Sequence, residues 1–321
     1  MNKKVALVCG VSGQDGALLA RFLLSKNYVV YGTSRDAQGG SFSNLKQLGI
    51  NQQVELLTMA PEDFRSVYTV LKKTKADEVY YLAGQSSVGL SFELPAETIQ
   101  GISLGILNML EACRLIDKKV KIYHAGSSEC FGDTNGMPAT EESPFKPKSP
   151  YAVAKSSAFW LVDTYRDAYQ LFACTGILFN HESNLRPKRF VTQKIIESAI
   201  AIYNGSTEPL KLGRLDVYRD WGCAEEYVEA MWRMLQQDKP QDFVIATGKT
   251  YSLEAFVDTA FSSLGLDWKK HVIQSKDLFR PSELLVSSAS PQKAKDLLGW
   301  QAKKDMRDVV LKMIESKLSQ A

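Results

Sequence analysis

The stretch KVALVCGVSGQDG, residues 4–16, decides how this chain folds. Its first half is a short continuous apolar run, the pattern of a strand buried on both faces. Its second half is Gly10-Val-Ser-Gly13-Gln-Asp-Gly16, and an amphipathic run, ALLARFLLSKN, follows directly. A strand that enters a helix through spaced glycines turns tightly there. It also brings its backbone close to whatever sits at the helix N-terminus, where the peptide dipoles favour a pyrophosphate. Gly10, Gly13, Gln14, Asp15 and Gly16 are therefore the first candidates for cofactor binding.

Working outward, YVVYGTS (28–34) is a second strand, and VELLT, EVYYLAG, KIYHAGS and FACTGILF continue the series. Helical patterns at 61–75, 95–115 and 149–170 separate the later strands. Apolar strands alternating with helices predict a doubly wound parallel α/β sheet of Rossmann type, covered on both faces. After residue 180 the rhythm breaks. Short strands at PLKL and DFVIAT mix with helical patterns at 191–203, 224–237, 253–264, 290–300 and 305–318. The expected organisation is a dinucleotide-binding domain over 1–180, completed by a strand near 241–247, and a smaller mixed α/β substrate lobe over 181–321.

Composition narrows the partners. The chain has 321 residues, 45% hydrophobic and 23% charged, with a net charge of +3. That balance is ordinary for a globular protein and too small to argue for nucleic acid. The five cysteines form no CxxC pair and the three histidines lie far apart, which argues against disulfides and a metal centre. No apolar run is long enough to cross a bilayer and no signal-peptide layout is present, so a soluble cytoplasmic protein is expected.

The end of the second strand bears on the cofactor. An acidic residue there would hold the ribose 2′-hydroxyl of NAD, whereas this chain has Ser34-Arg35-Asp36. Arg35 suits the 2′-phosphate of NADP, and Asp36 keeps NAD admissible.

The chemistry gathers after the fifth strand. Ser127 and Glu129 end that strand, and Tyr151-Ala-Val-Ala-Lys155 opens the next helix. Residues at i and i+4 share a helical face, so the Lys155 ammonium is expected beside the Tyr151 phenol, lowering its pKa and making it a base. Ser127 would bond the same substrate oxygen.

With GxxGxxG, SSE and SPYAVAK in place, the chain resembles the extended short-chain dehydrogenases/reductases. GILFNHES, FVTQKI, RDWG, DFVIATG and KAKDLLGW are similar to GDP-mannose 4,6-dehydratases, and the similarity runs over nearly the whole length. That resemblance implies a lyase with tightly held NADP, acting on a GDP-hexose and assembled as a homodimer or homotetramer. Tyr151 would take the sugar 4-hydroxyl proton as hydride leaves C4, with Lys155 beside it. Glu129 would remove the C5 proton and release the C6 hydroxyl as water, leaving a 4-keto-6-deoxy sugar. Substrate contacts carried by the resemblance are Ser86, Glu129, Asn180, Lys194, Arg219, Arg280 and Glu283. Departures at Arg35-Asp36, Met59, Ser87, Leu185 and Cys223 touch the cofactor and substrate walls, a pattern that suits a different sugar such as a GDP-heptose. A GDP-4-keto-6-deoxy-sugar reductase, an epimerase and a non-catalytic NADP-binding sensor are the competing readings. The apolar faces of GISLGILNMLEACRL and SSAFWLV are expected to pair across a two-fold axis.

Overall fold

The computed structural model describes residues 3–116 and 118–319. Six strands form in the first part of the chain: β1 (Val5–Cys9), β2 (Val29–Ser34), β3 (Val54–Thr58), β4 (Glu78–Tyr81), β5 (Lys121–Ala125) and β6 (Phe172–Leu178). Four short strands follow, β7 (Asn180–Glu182), β8 (Leu210–Leu212), β9 (Tyr218–Arg219) and β10 (Trp221–Cys223), before β11 (Phe243–Ile245). The main sheet is parallel, in the order β11-β6-β5-β4-β1-β2-β3. Strand order reverses between β1 and β4. Their carboxyl ends therefore diverge into a crevice, and the glycine-rich turn leaves β1 at that point.

Each sheet face is covered by apolar helix surface. Leu18, Leu19 and Leu23 of Gln14–Ser25 and Val228 and Met231 of Ala224–Leu235 pack on one side. Val67 and Leu71 of Phe64–Thr74, Ile106 and Leu110 of Gly105–Leu115, and Ala154 and Ala158 of Pro150–Tyr169 pack on the other. At about 1.5–3 kcal/mol for each large aliphatic side chain buried, these layers dominate the stability of the sheet. A third cluster, with Ile195, Ile196, Phe256, Phe261, Val310 and Met313, lies among the helices after residue 190.

The far edge of the sheet is locked by charge. Asp242, just before β11, is held by Arg166 at 3.0 and 2.7 Å, and it accepts the Thr175 amide of β6 at 2.6 Å. This two-pronged contact fixes where β11 docks.

Two helical expectations need correcting. Residues 95–115 are not one α-helix, because a π-helical stretch, Gln100–Leu104, divides Pro95–Ile99 from Gly105–Leu115. The cause is Tyr81, whose hydroxyl reaches into the stretch and donates to the Gly101 carbonyl at 3.2 Å. The helix expected from residue 61 starts at Phe64, where the Asp63 carboxylate caps the Arg65 amide at 2.9 Å. Among the described residues, no helix is long and apolar enough to cross a membrane.

Candidate active site

The glycine-rich turn forms one wall. Gly10 has φ +85°, and a Cβ there would lie 3.1 Å from the Ala83 backbone, so the turn needs glycine at this position. Gly13 caps the helix Gln14–Ser25 with no side-chain partner for the first-turn amides. A Cβ on Gly13 would meet only the Gly10 carbonyl, at 3.4 Å, and would otherwise project into open space. Free first-turn amides beside an open cradle are what a bound pyrophosphate requires.

The same turn is anchored by a histidine that sequence reasoning missed. His181 Nε2 lies 2.9 Å from Asp15 Oδ2, and its Nδ1 lies 2.7 Å from the Phe179 carbonyl. Burial alone would raise Asp15, but the His181 charge and hydrogen bond, the Gln14 amide and Arg186 outweigh it and hold the carboxyl at about 2. Burial likewise opposes the His181 cation, and the Asp15 carboxylate overcomes it, raising the imidazole above its ordinary range. Asp15 and His181 are far apart in the chain and only the tertiary fold joins them. The one available hint was that HES directly follows a strand.

The catalytic candidates line the same space. Ser149 caps the helix Pro150–Tyr169, accepting the Ala152 amide at 3.1 Å, with Pro150 in its first turn. That cap places Tyr151 at the cleft and Lys155 one turn deeper. Ser127 follows β5 by two residues, its hydroxyl oxygen accepting the Glu129 amide at 3.3 Å. Glu129 lies on the short turn Ser128–Phe131 and faces the same cleft. Burial raises its pKa, Arg219 and Arg280 pull it back down, and Glu283 adds to the rise. The net result is a carboxyl held above its ordinary range.

The expected lowering of the Tyr151 pKa is overturned. Burial pushes the phenol well above its ordinary range, with Ser127 working against that rise. Lys155 does not offset it, because the ammonium donates to the Ala125 carbonyl at 2.6 Å and stands 5.9 Å from the Tyr151 ring centre. Burial lowers Lys155 itself to about 8. The shared helical face was read correctly, but it did not reveal that a backbone carbonyl claims the ammonium.

These walls belong to one cleft of ≈ 1050 Å³. Gly10, Gly13, Gln14, Asp15, Gly16 and Arg35 line it together with Ser127, Glu129, Tyr151 and Lys155. Ser86, Asn180, Lys194, Arg219, Arg280 and Glu283 also line it, so every catalytic, cofactor and substrate candidate faces this space, whereas Asp36, Leu185 and Cys223, expected at its walls, do not line it. Within it Arg219 donates to Glu283 at 3.0 Å, Arg280 approaches Glu283 at 3.5 Å, and Lys194 bonds the Lys211 carbonyl at 3.0 Å. Arg186, beside the Leu185 departure, lines it, and Arg189, Lys211 and Arg214 line it too without having been anticipated. Asp36 is engaged elsewhere, since its Oδ1 accepts the amides of Gln38 and Gly39 at 3.0 and 2.7 Å.

Comparison with known proteins agrees with this geometry. At the level of fold, the chain superposes on dTDP-glucose 4,6-dehydratase from Streptomyces venezuelae with a TM-score of 0.87 at 19% identity, over 98% of this chain and 97% of that one. It superposes equally on UDP-glucose 4-epimerase from Thermotoga maritima, with a TM-score of 0.88 at 21% identity, over 98% and 99%. Shared architecture thus does not separate elimination from epimerisation. Sequence does. GDP-mannose 4,6 dehydratase 1 from Arabidopsis thaliana is 43% identical over 99% of this chain and 91% of its own length. The family described as GDP-mannose 4,6 dehydratase matches residues 7–313, and with the glycine turn, the SSE strand end and the YxxxK helix meeting in one cleft, the chain belongs to that family.

Proposed function

We propose that this GDP-sugar 4,6-dehydratase runs oxidation and elimination in the single cleft, with NADP along the glycine-rich turn. The observation that carries the reading is the convergence of a buried serine, a buried tyrosine and a glutamate on one space. When bound, the nicotinamide supplies the acceptor, and later the donor, of hydride. Gly10, Gly13 and Gly16 with the first-turn amides would hold its pyrophosphate, and Lys155 would hold its ribose beside Tyr151.

The residues then divide the work. Tyr151 would take the proton of the sugar 4-hydroxyl as its phenolate, a form that burial alone disfavours and that the positive charge of an oxidised nicotinamide beside it would favour, while Ser127 donates to that oxygen and fixes its direction. A ketone at C4 makes the C5 proton acidic, and Glu129 removes it. The same carboxyl, now protonated, gives its proton to the departing C6 hydroxyl, so water leaves without a net change in protonation of the enzyme. Arg219, Arg280 and Lys194 offer cations to the diphosphate, with Asn180 and Ser86 as neutral donors and Glu283 orienting the arginines.

Arg35 favours NADP over NAD. It lines the cleft while the Asp36 carboxylate is committed to its own loop, leaving the cation to meet a 2′-phosphate. We also assign residues 1–180 with β11 to cofactor binding and 181–321 to the nucleotide sugar. Exposed Leu104 and Trp160, within the two stretches expected to pair, fit a homodimer face. Five free buried cysteines fit a reducing cytoplasm.

The test is mass spectrometry of GDP-mannose, and separately a GDP-heptose, after incubation with purified protein and no added reductant. Loss of one water from either sugar is expected and names the substrate. Neither sugar changing, while added NADPH reduces a 4-keto-6-deoxy sugar nucleotide, would establish the reductase instead.

A further inference from the structure

A chain of buried hydrogen bonds joins the two ends of the cleft, running behind it. It starts at Gln14 in the cofactor turn, whose side-chain nitrogen donates to Asp15 Oδ1 at 2.9 Å and to the His181 carbonyl at 3.2 Å. The Ser183 hydroxyl donates to Gln14 Oε1 at 2.8 Å. The Ser183 carbonyl in turn accepts from Gln193 Nε2 at 2.9 Å. Gln193 is fully buried on the helix Val191–Tyr203, next to Lys194, which faces the cleft. A parallel tie runs beside it, with Thr192 donating to Glu182 Oε2 at 2.8 Å and Arg186 3.3 Å from the same oxygen.

Neither Ser183 nor Gln193 lines the cleft, so neither is placed to touch substrate or cofactor. Gln193 also leaves its Oε1 buried with no partner among the described residues. A buried, unpaired acceptor is destabilising, and a leucine or methionine would fill the same volume without that cost. The position is better explained by the bond its nitrogen makes than by packing.

We propose that Ser183 and Gln193 are positioning residues that couple cofactor binding to binding of the nucleotide diphosphate. With dinucleotide seated on the first-turn amides, Gln14 is fixed. Ser183 and Gln193 then hold the start of the helix Val191–Tyr203 in register, which presents Lys194 and its neighbours to the second diphosphate. The bridge is a contiguous run of directional hydrogen bonds, most of them buried, the kind of network through which two sites are coupled. This inference rests on the reading that the cleft holds both nucleotides.

Titration calorimetry of GDP binding, with and without saturating NADP, tests it using intact protein freed of nucleotide. In the wild type, NADP is expected to tighten GDP binding by about fivefold or more, within the usual range of coupling between sites. Gln193→Met and Ser183→Ala are each expected to bring that ratio to about one, while the affinity for NADP alone changes by less than about twofold. A variant harmed only in packing would weaken both ligands and keep the ratio. The proposal is overturned if the wild-type ratio is one, or if both folded variants retain the wild-type ratio. Failure of GDP or NADP to bind the wild type at all would instead overturn the dehydratase reading itself.

Discussion

Lys155 is the residue whose removal makes the sharpest quantitative prediction. Burial lowers its ammonium from 10.5 to about 8, so the folded protein binds this proton less tightly than the unfolded chain does. Stability from this group is full above the unfolded value and is lost as pH falls through the folded one. Between those two values the unfolded chain holds more protons and wild-type stability must rise with pH. At about 1.36 kcal/mol per pH unit, keeping the ammonium charged at pH 7 costs about 3 kcal/mol, and by pH 9.5 the folded amine is neutral and about 2 kcal/mol of that is recovered. Lys155→Met has no such proton. The bond to the Ala125 carbonyl is missing from the variant at both pH values, a roughly constant offset. Urea unfolding of both proteins at pH 7 and 9.5, without added nucleotide, isolates the effect as a difference of differences. The wild type should gain about 2 kcal/mol on the variant over that interval. A gap that stays constant, or that moves against the wild type, would refute the claim that burial governs this lysine.

Other substitutions probe the remaining roles. Glu129→Gln keeps the shape of the side chain but removes its proton transfer, so water loss from the GDP-sugar should fall by about 10²–10⁴-fold. Because Tyr151 and Ser127 are intact, a single-turnover absorbance trace should still show reduction of bound cofactor, and a variant within about tenfold of wild type in product formation would remove Glu129 from the elimination step. Arg35→Ala should weaken NADP by about 1.5–3 kcal/mol, the value of a hydrogen bond to a charged group, and leave NAD within about twofold in fluorescence titration; equal losses for both would show that Arg35 does not read the 2′-phosphate. Trp160→Glu, on the exposed helix face, should convert a dimer to a monomer by light scattering. A monomeric wild type would dispose of that interface.

Legibility followed chain length and locality. The strand-turn-helix at residues 4–16 could be read directly, since apolar run, glycines and amphipathic helix are all local, and the long strands of the main sheet are continuous apolar runs. The strands Asn180–Glu182, Tyr218–Arg219 and Trp221–Cys223 were not visible, because two or three residues carry no periodicity and pair only where the tertiary fold brings them together. The site divided in the same way. Ser127, Glu129, Tyr151 and Lys155 were legible as short motifs, whereas His181 gained its place only through Asp15, from the other end of the cofactor domain. Tyr151 shows the limit of helical spacing as a guide. It placed the lysine on the right face but could not show how deeply the phenol is buried.

The placement of β11 has a consequence for how the molecule is made. On the ribosome, residues 1–180 emerge with the glycine-rich turn and six strands of the main sheet but with β6 as an open border, its backbone groups facing water and available to another nascent chain. That border closes only when Asp242 emerges and is caught by Arg166. The main sheet is thus among the first parts begun and cannot be finished until more than 60 residues beyond β6 have been synthesised. Truncation before residue 243 should yield a fragment that aggregates, and separately expressed halves should recover a native sheet only when present together during refolding.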